Sequence, residues 1–134
     1  MDDRIHSLIA DSPTTVPSRT EVEAWLGANL ALDSDTGPWL FYRSSVVRPP
    51  FLKTDARFAR KGDRALVVVE TADPVFEKDL DLDRIGPRQK LDINPRIPPE
   101  GTLAYTYRLG DQVVSLMFTA KSRRLLSIAF SWGE

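Results

Sequence analysis

The chain of 134 residues has no cysteine and a single histidine, His6. The first absence removes disulfides, thiol nucleophiles and cysteine-bound zinc. The second leaves any serine nucleophile with one imidazole as its base, and that imidazole sits near the N-terminus with no second histidine to share a metal. No serine occupies a Gly-x-Ser-x-Gly turn. The 7 glycines are dispersed, so no phosphate-cradling loop is written. An excess of one charge is also lacking: 18 basic side chains face 19 acidic ones, for a net charge of −1. Without a global positive field, nucleic acid is a poor partner. Apolar runs fall far short of the ~20 residues that a membrane helix needs. Met1-Asp2-Asp3 is acidic where a secretory leader is basic, which predicts a cytoplasmic chain as written, or a periplasmic one if a leader has been removed.

What remains is the composition of a globular protein, 42% hydrophobic and 28% charged, at a length usual for one domain. Its clearest signal is the last third. Leu103–Leu109, Val113–Thr119 and Leu125–Trp132 are rich in aromatic and β-branched residues and are separated by short polar breaks, which predicts a three-stranded antiparallel meander. Upstream, residues 5–9 read as a helical turn, and Pro13 and Pro17 bracket an extended linker. Ser18 with Glu21, or Thr20 with Glu23, can form a capping box. Val22, Trp25, Leu26 and Leu30 then share a face, predicting a helix over Arg19–Leu30 that Gly27 weakens. Asp33–Pro38 reads as a polar turn. Trp39–Val47 reads as a strand with Trp39, Phe41 and Arg43 on one face, ended by Arg48-Pro49-Pro50. Asp55–Arg60 and Arg64–Thr71 form a hairpin about Gly62. From Asp73-Pro74 a short helix ended by Gly86-Pro87 is expected, and Asn94–Gly101 reads as a proline-rich extended loop.

Two halves of the chain echo each other. Phe58-x-x-Lys61-x-x-Arg64-x-Leu66 recurs as Phe118-x-x-Lys121-x-x-Arg124-x-Leu126, Tyr42-Arg43 as Tyr107-Arg108, and Leu26-Gly27 as Ile85-Gly86. Within one domain over 1–134, this suggests tandem repeats at about 18–71 and 74–132. The alternative is that any two β-hairpins look alike. The fold class that follows is α+β: a twisted antiparallel sheet of five or six strands, with one or two helices packed on one face.

The run from Pro13 to Gly27, with Ser18, Val22, Leu26 and Gly27, resembles the entry helix of small α/β units in bacterial envelope proteins. These include outer-membrane-assembly lipoproteins of the SmpA type, and the tandem units of β-lactamase inhibitor proteins are similar. The resemblance covers that helix start and the terminal hairpin. It implies a helix preceding a small antiparallel sheet, in units that bind other proteins rather than catalyse. The chain departs from the lipoproteins in lacking the lipid-attachment cysteine, so no family binding residue is carried over.

Chemistry has few footholds. Asp79, Asp81 and Asp83 have the spacing of the first EF-hand ligands, but Arg84 and Lys90 stand where glycine and glutamate are required, so neither a metal nor any other cofactor is expected. No carboxylate pair is singled out for hydrolytic work. Arg57, Arg60, Lys61, Arg64, Lys121, Arg123 and Arg124 gather at the two hairpin turns and read as solvated ends, with recognition of an anionic partner as the alternative. Tyrosine and arginine on sheet strands are enriched at protein interfaces. The candidate partner-binding residues are therefore Tyr42, Arg43, Tyr105, Tyr107 and Arg108. The competing reading makes the tyrosines core residues whose hydroxyls reach the rim. A non-enzymatic protein-binding module of the envelope, inhibitor or immunity type is the expected function. Alternatives are a small-ligand carrier with a cavity lined by Trp25, Phe118 and Phe130, and an enzyme using carboxylates alone. The partner expected is another protein, with no nucleic acid and no membrane span; the sequence is silent on oligomeric state.

Overall fold

A computed structural model describes residues 3–44, 51–71, 74–96 and 100–133. Helices α1 (Asp3–Ala10) and α2 (Arg19–Leu26) precede strands β1 (Ala31–Thr36), β2 (Trp39–Ser44), β3 (Phe51–Ala59) and β4 (Ala65–Thr71). Two single turns of 3₁₀ helix, Glu77–Asp79 and Leu82–Arg84, lead to β5 (Arg88–Asn94), β6 (Thr102–Leu109), β7 (Gln112–Thr119) and β8 (Leu125–Trp132). Every pairing is antiparallel, in one open sheet of order β1-β2-β3-β4-β8-β7-β6-β5.

The α+β class with an antiparallel sheet holds, but the sheet has eight strands where five or six were expected. The additional ones are the two edges, β1, whose polar stretch reads as a turn, and β5, which lies beyond the expected helix end at Gly86-Pro87 in a stretch given no element. An edge strand beyond the reach of the helices needs no alternating apolar residues, so its sequence carries little signal. β5 is exposed at every position. β1 is held by side chains instead: Asp33 pairs with Arg43, and Asp35 with Arg60. The expected helix before Gly86-Pro87 is the pair of 3₁₀ turns. The expected strand end at Arg48-Pro49-Pro50, Asp73, and positions 97–99 of the proline-rich loop lie outside the described residues.

α2 starts as its capping box dictates. Ser18 Oγ accepts the Glu21 N–H at 3.2 Å, and Glu21 Oε1 accepts the Ser18 N–H at 3.1 Å. The helix stops at Leu26, not Leu30. Gly27 takes the left-handed conformation at φ 66° and donates its N–H to Glu23 O, a stop that glycine adopts without steric cost.

One sheet face carries the core. Along a single row, Tyr42, Ala56, Val67, Phe130, Val114 and Tyr107 lie side by side across six strands. Val67, Val69, Val114, Leu116, Phe118, Ile128, Phe130 and Trp132 are fully buried. Trp25 of α2 meets Phe130 edge-on at 4.7 Å and Trp132 at 6.2 Å. Hydrogen bonds fasten the N-terminal segment down: Trp25 Nε1 donates to Leu8 O (2.9 Å), Trp132 Nε1 to Pro13 O (2.7 Å) and Gln112 Nε2 to Ser12 Oγ (2.8 Å). A register irregularity opposite Met117/Phe118 puts Leu125 into the core and leaves Leu126 half-buried. Strict alternation would have given Leu126 the buried place; one extra residue in a strand shifts everything before it to the other face.

The sheet divides into two four-stranded meanders, β1–β4 and β5–β8, that meet through their last strands. The echoed residues fall at like places. Phe58 and Phe118 point into the core near the ends of β3 and β7, and Tyr42 and Tyr107 share the helix side of β2 and β6. Leu26-Gly27 closes α2, and Ile85-Gly86 follows the second 3₁₀ turn.

Candidate protein interface on the uncovered sheet face

The helices and the segment 75–85 all lie on the core side of the sheet. No described element covers the other face. The alternation that sends Tyr42, Ala56, Val67 and Phe130 inward sends their neighbours outward. One outward row is Phe41, Arg57, Leu66, Ser131, Val113 and Arg108; the next is Arg43, Asp55, Val68, Ala129, Ser115 and Thr106.

The middle of this face is a trough. β8 contributes only Ser127, Ala129 and Ser131. β4 on one side raises Leu66 and Val68, and β7 on the other raises Val113 and Met117; all are half-buried. The two ridges stand two strand spacings apart, about 10 Å. Beyond the β4 ridge, Phe41, Arg43, Asp55, Arg57, Leu66 and Val68 line a depression of about 250 Å³.

Its rims are basic. Trp39 lies between two guanidinium groups, Arg57 at 5.0 Å and Arg64 at 4.9 Å from its ring. Such stacking holds the arginines in place without neutralising their charge. Arg43 is already neutralised, with Asp55 at 3.0 Å and Asp33 at 3.8 Å, and Lys53 pairs with Glu70 at 3.9 Å. Arg57, Arg64 and Arg108 form no ion pair among the described residues, so they define the charge that this face presents.

The sequence-based candidates divide between the two faces. Arg43 and Arg108 are on the uncovered one. Tyr42 is on the core side, half-covered by Arg19 of α2 with the guanidinium 5.4 Å from its ring. Tyr105 and Tyr107 are buried on the core side. Burial raises the pKa of both hydroxyls above the usual phenol value; Glu77 adds to the rise at Tyr105. Tyr105 Oη accepts from Arg123 at 3.1 Å. The sequence-based candidates do not include Trp39, Phe41, Leu66, Val68 and Val113, which lie on the same uncovered face as Arg43 and Arg108. The alternation already grouped Trp39, Phe41 and Arg43; what it did not say was which group the helices would cover.

Trp25 is in ring contact with Phe130 and Trp132, and the depression of about 320 Å³ that it lines with Leu8 and Phe51 includes neither Phe118 nor Phe130. His6 is buried, and its Nε2 accepts the Asp81 N–H at 3.0 Å. Among the described residues, no group of three or more histidine or carboxylate side chains is arranged to hold a metal ion, and no helix is long and apolar enough to cross a membrane. Comparison with family models, with curated proteins and with solved structures finds no match for this chain.

Proposed function

We propose that this chain is a non-enzymatic protein-binding module whose contact surface is the uncovered sheet face. The observation that carries the reading is the trough along β8, walled by Leu66, Val68, Val113 and Met117 and rimmed by Arg57, Arg64 and Arg108. The ridges stand about 10 Å apart from strand to strand, which leaves room between them for one row of side chains from a helix laid along β8. The occupant that fits is an amphipathic helix of another protein, its apolar stripe in the trough and its acidic residues against the arginines. Half-buried aliphatic groups between stacked arginines and a tryptophan are the composition of interface centres.

The test is capture of a partner by the folded chain, repeated with Ala129→Trp, which fills the trough, and with Arg57→Glu plus Arg64→Glu, which reverses its rim. Loss of the same partner from both variants, with circular dichroism unchanged, is the expected result. A partner held equally by all three proteins would exclude this face.

The two meanders are, on the same footing, copies of one duplicated unit. The support is the placement of Tyr42/Tyr107, Phe58/Phe118 and Leu26-Gly27/Ile85-Gly86 at like positions. A set of homologous sequences whose halves fail to align with each other would overturn it.

A further inference from the structure

The core side of the second meander holds a cleft that the protein-binding reading does not use. Its wall is the 3₁₀ segment, held at three points. Leu125 N–H donates to Val75 O (2.7 Å), Glu77 N–H to Arg123 O (2.8 Å), and Asp81 N–H to His6 Nε2 (3.0 Å). Ile85 is anchored in the core beyond. Between this wall and β5–β6 lies a volume of about 580 Å³, lined by Glu77, Asp81, Asp83, Arg88, Tyr105 and Tyr107.

The two tyrosines of the floor differ. Tyr105 is engaged, with Arg123 on its hydroxyl and the Arg88 guanidinium 4.9 Å from its ring. Tyr107 is 2% exposed, and its hydroxyl makes no hydrogen bond among the described residues. After burial, the charges that act on it are those of Arg88, Asp83 and Glu77, together with Tyr105. Tyr107 lines the cleft, and its hydroxyl is not among the fully buried unpaired atoms, so the access it keeps is to the cleft. The ring is buried while the hydroxyl is left for a group bound in the cleft to complete its hydrogen bonding.

Charge decides what that something is. Glu77 is paired with Arg123 at 3.3 Å. Asp81 and Asp83 have no ion pair among the described residues, against the single guanidinium of Arg88, which is stacked on a ring. We propose that this cleft binds a cationic amine or guanidine carried on an aliphatic arm, with Asp81 and Asp83 taking the charge and Tyr107 Oη accepting one of its N–H groups. The arm lies along Leu80 and Leu82, which also line the cleft. Such a group can come as a free amine or as the lysine or arginine side chain of a peptide.

Titration of the full chain with agmatine, with an acetylated arginine amide and with propionate, followed by amide NMR shifts, tests this. Saturable shifts over 77–88 and 105–107 with either cation, and none with propionate, are expected. The stronger of the two cations identifies the source. Asp81→Asn with Asp83→Asn weakens binding about tenfold or more, since a hydrogen-bonded charge pair is lost. Tyr107→Phe keeps the ring and weakens binding several-fold without lowering thermal stability. Absence of saturable shifts, or shifts unchanged in the double variant, would overturn the proposal and leave the sheet-face reading untouched.

Discussion

Replacing Thr54 by valine removes the one buried side-chain polar atom that lacks a hydrogen-bond partner among the described residues, the Thr54 hydroxyl. Valine keeps the branched shape that suits β3, so the substitution is expected to stabilise the fold by about 1 kcal/mol. It should be read as a higher urea midpoint with an unchanged slope. Glu100 makes the opposite point. Its Oε1 accepts the Ser122 N–H at 2.6 Å and the Lys121 N–H at 2.8 Å, and Oε2 accepts from Ser122 Oγ at 2.9 Å. The Ser122 N–H is the main reason that its carboxyl is held at about 2, below the ordinary 4.5. The folded value is the lower one, so the stability Glu100 contributes is complete above about 4.5 and is lost as pH falls through about 2. Carboxyl NMR should follow this titration, and the amides of Lys121 and Ser122 should lose protection from exchange over the same window. Residue identities told part of the story in advance. Period-two alternation separates Tyr105 and Tyr107 from Arg108 on β6 but does not say which side the helices cover, so the candidate set Tyr42, Arg43, Tyr105, Tyr107 and Arg108 spans both faces. The partner of His6 was not legible, because it is a backbone N–H 75 positions away.

Secondary-structure elements were most legible where one face is buried and the other is not. The meander strands of the last third begin and end within a residue of their expected limits, since Leu103, Tyr105 and Tyr107, or Val114, Leu116 and Phe118, alternate without a break. The start of α2 was equally plain from Ser18 and Glu21. Because that capping box satisfies two backbone N–H groups, Ser18→Ala is expected to cost about 1 kcal/mol; chemical denaturation of the purified variant measures it. The edges hid for the reverse reason. β5 lies past the helices, and its Leu91 and Ile93 remain 43% and 65% exposed, so there is no burial for a pattern to encode. The 3₁₀ segment hid as well: Leu80 and Leu82 alternate as in a strand, yet they line the cleft above the tyrosines.

At the level of the whole molecule, everything converges on the β4–β8 ladder, where six residue pairs join the two meanders. Phe130, fully buried there between Val67 and Val114 and under Trp25, is the position at which the halves share a side chain. Phe130→Ala is expected to destabilise by about 3–5 kcal/mol. Because the joint belongs to both halves, tryptophan fluorescence and far-ultraviolet circular dichroism should still report one coincident transition. Separate transitions would mean that the meanders hold themselves together independently. The topology also sets an order on biogenesis. The strand that closes the centre of the sheet is the last of the eight to leave the ribosome, and the segment after α1, whose Pro13 carbonyl accepts from Trp132 Nε1, is tied down only then. Until translation has passed that point, β4 waits with a bare apolar flank. This nascent chain is therefore one that a holding chaperone would meet before its own final strand does.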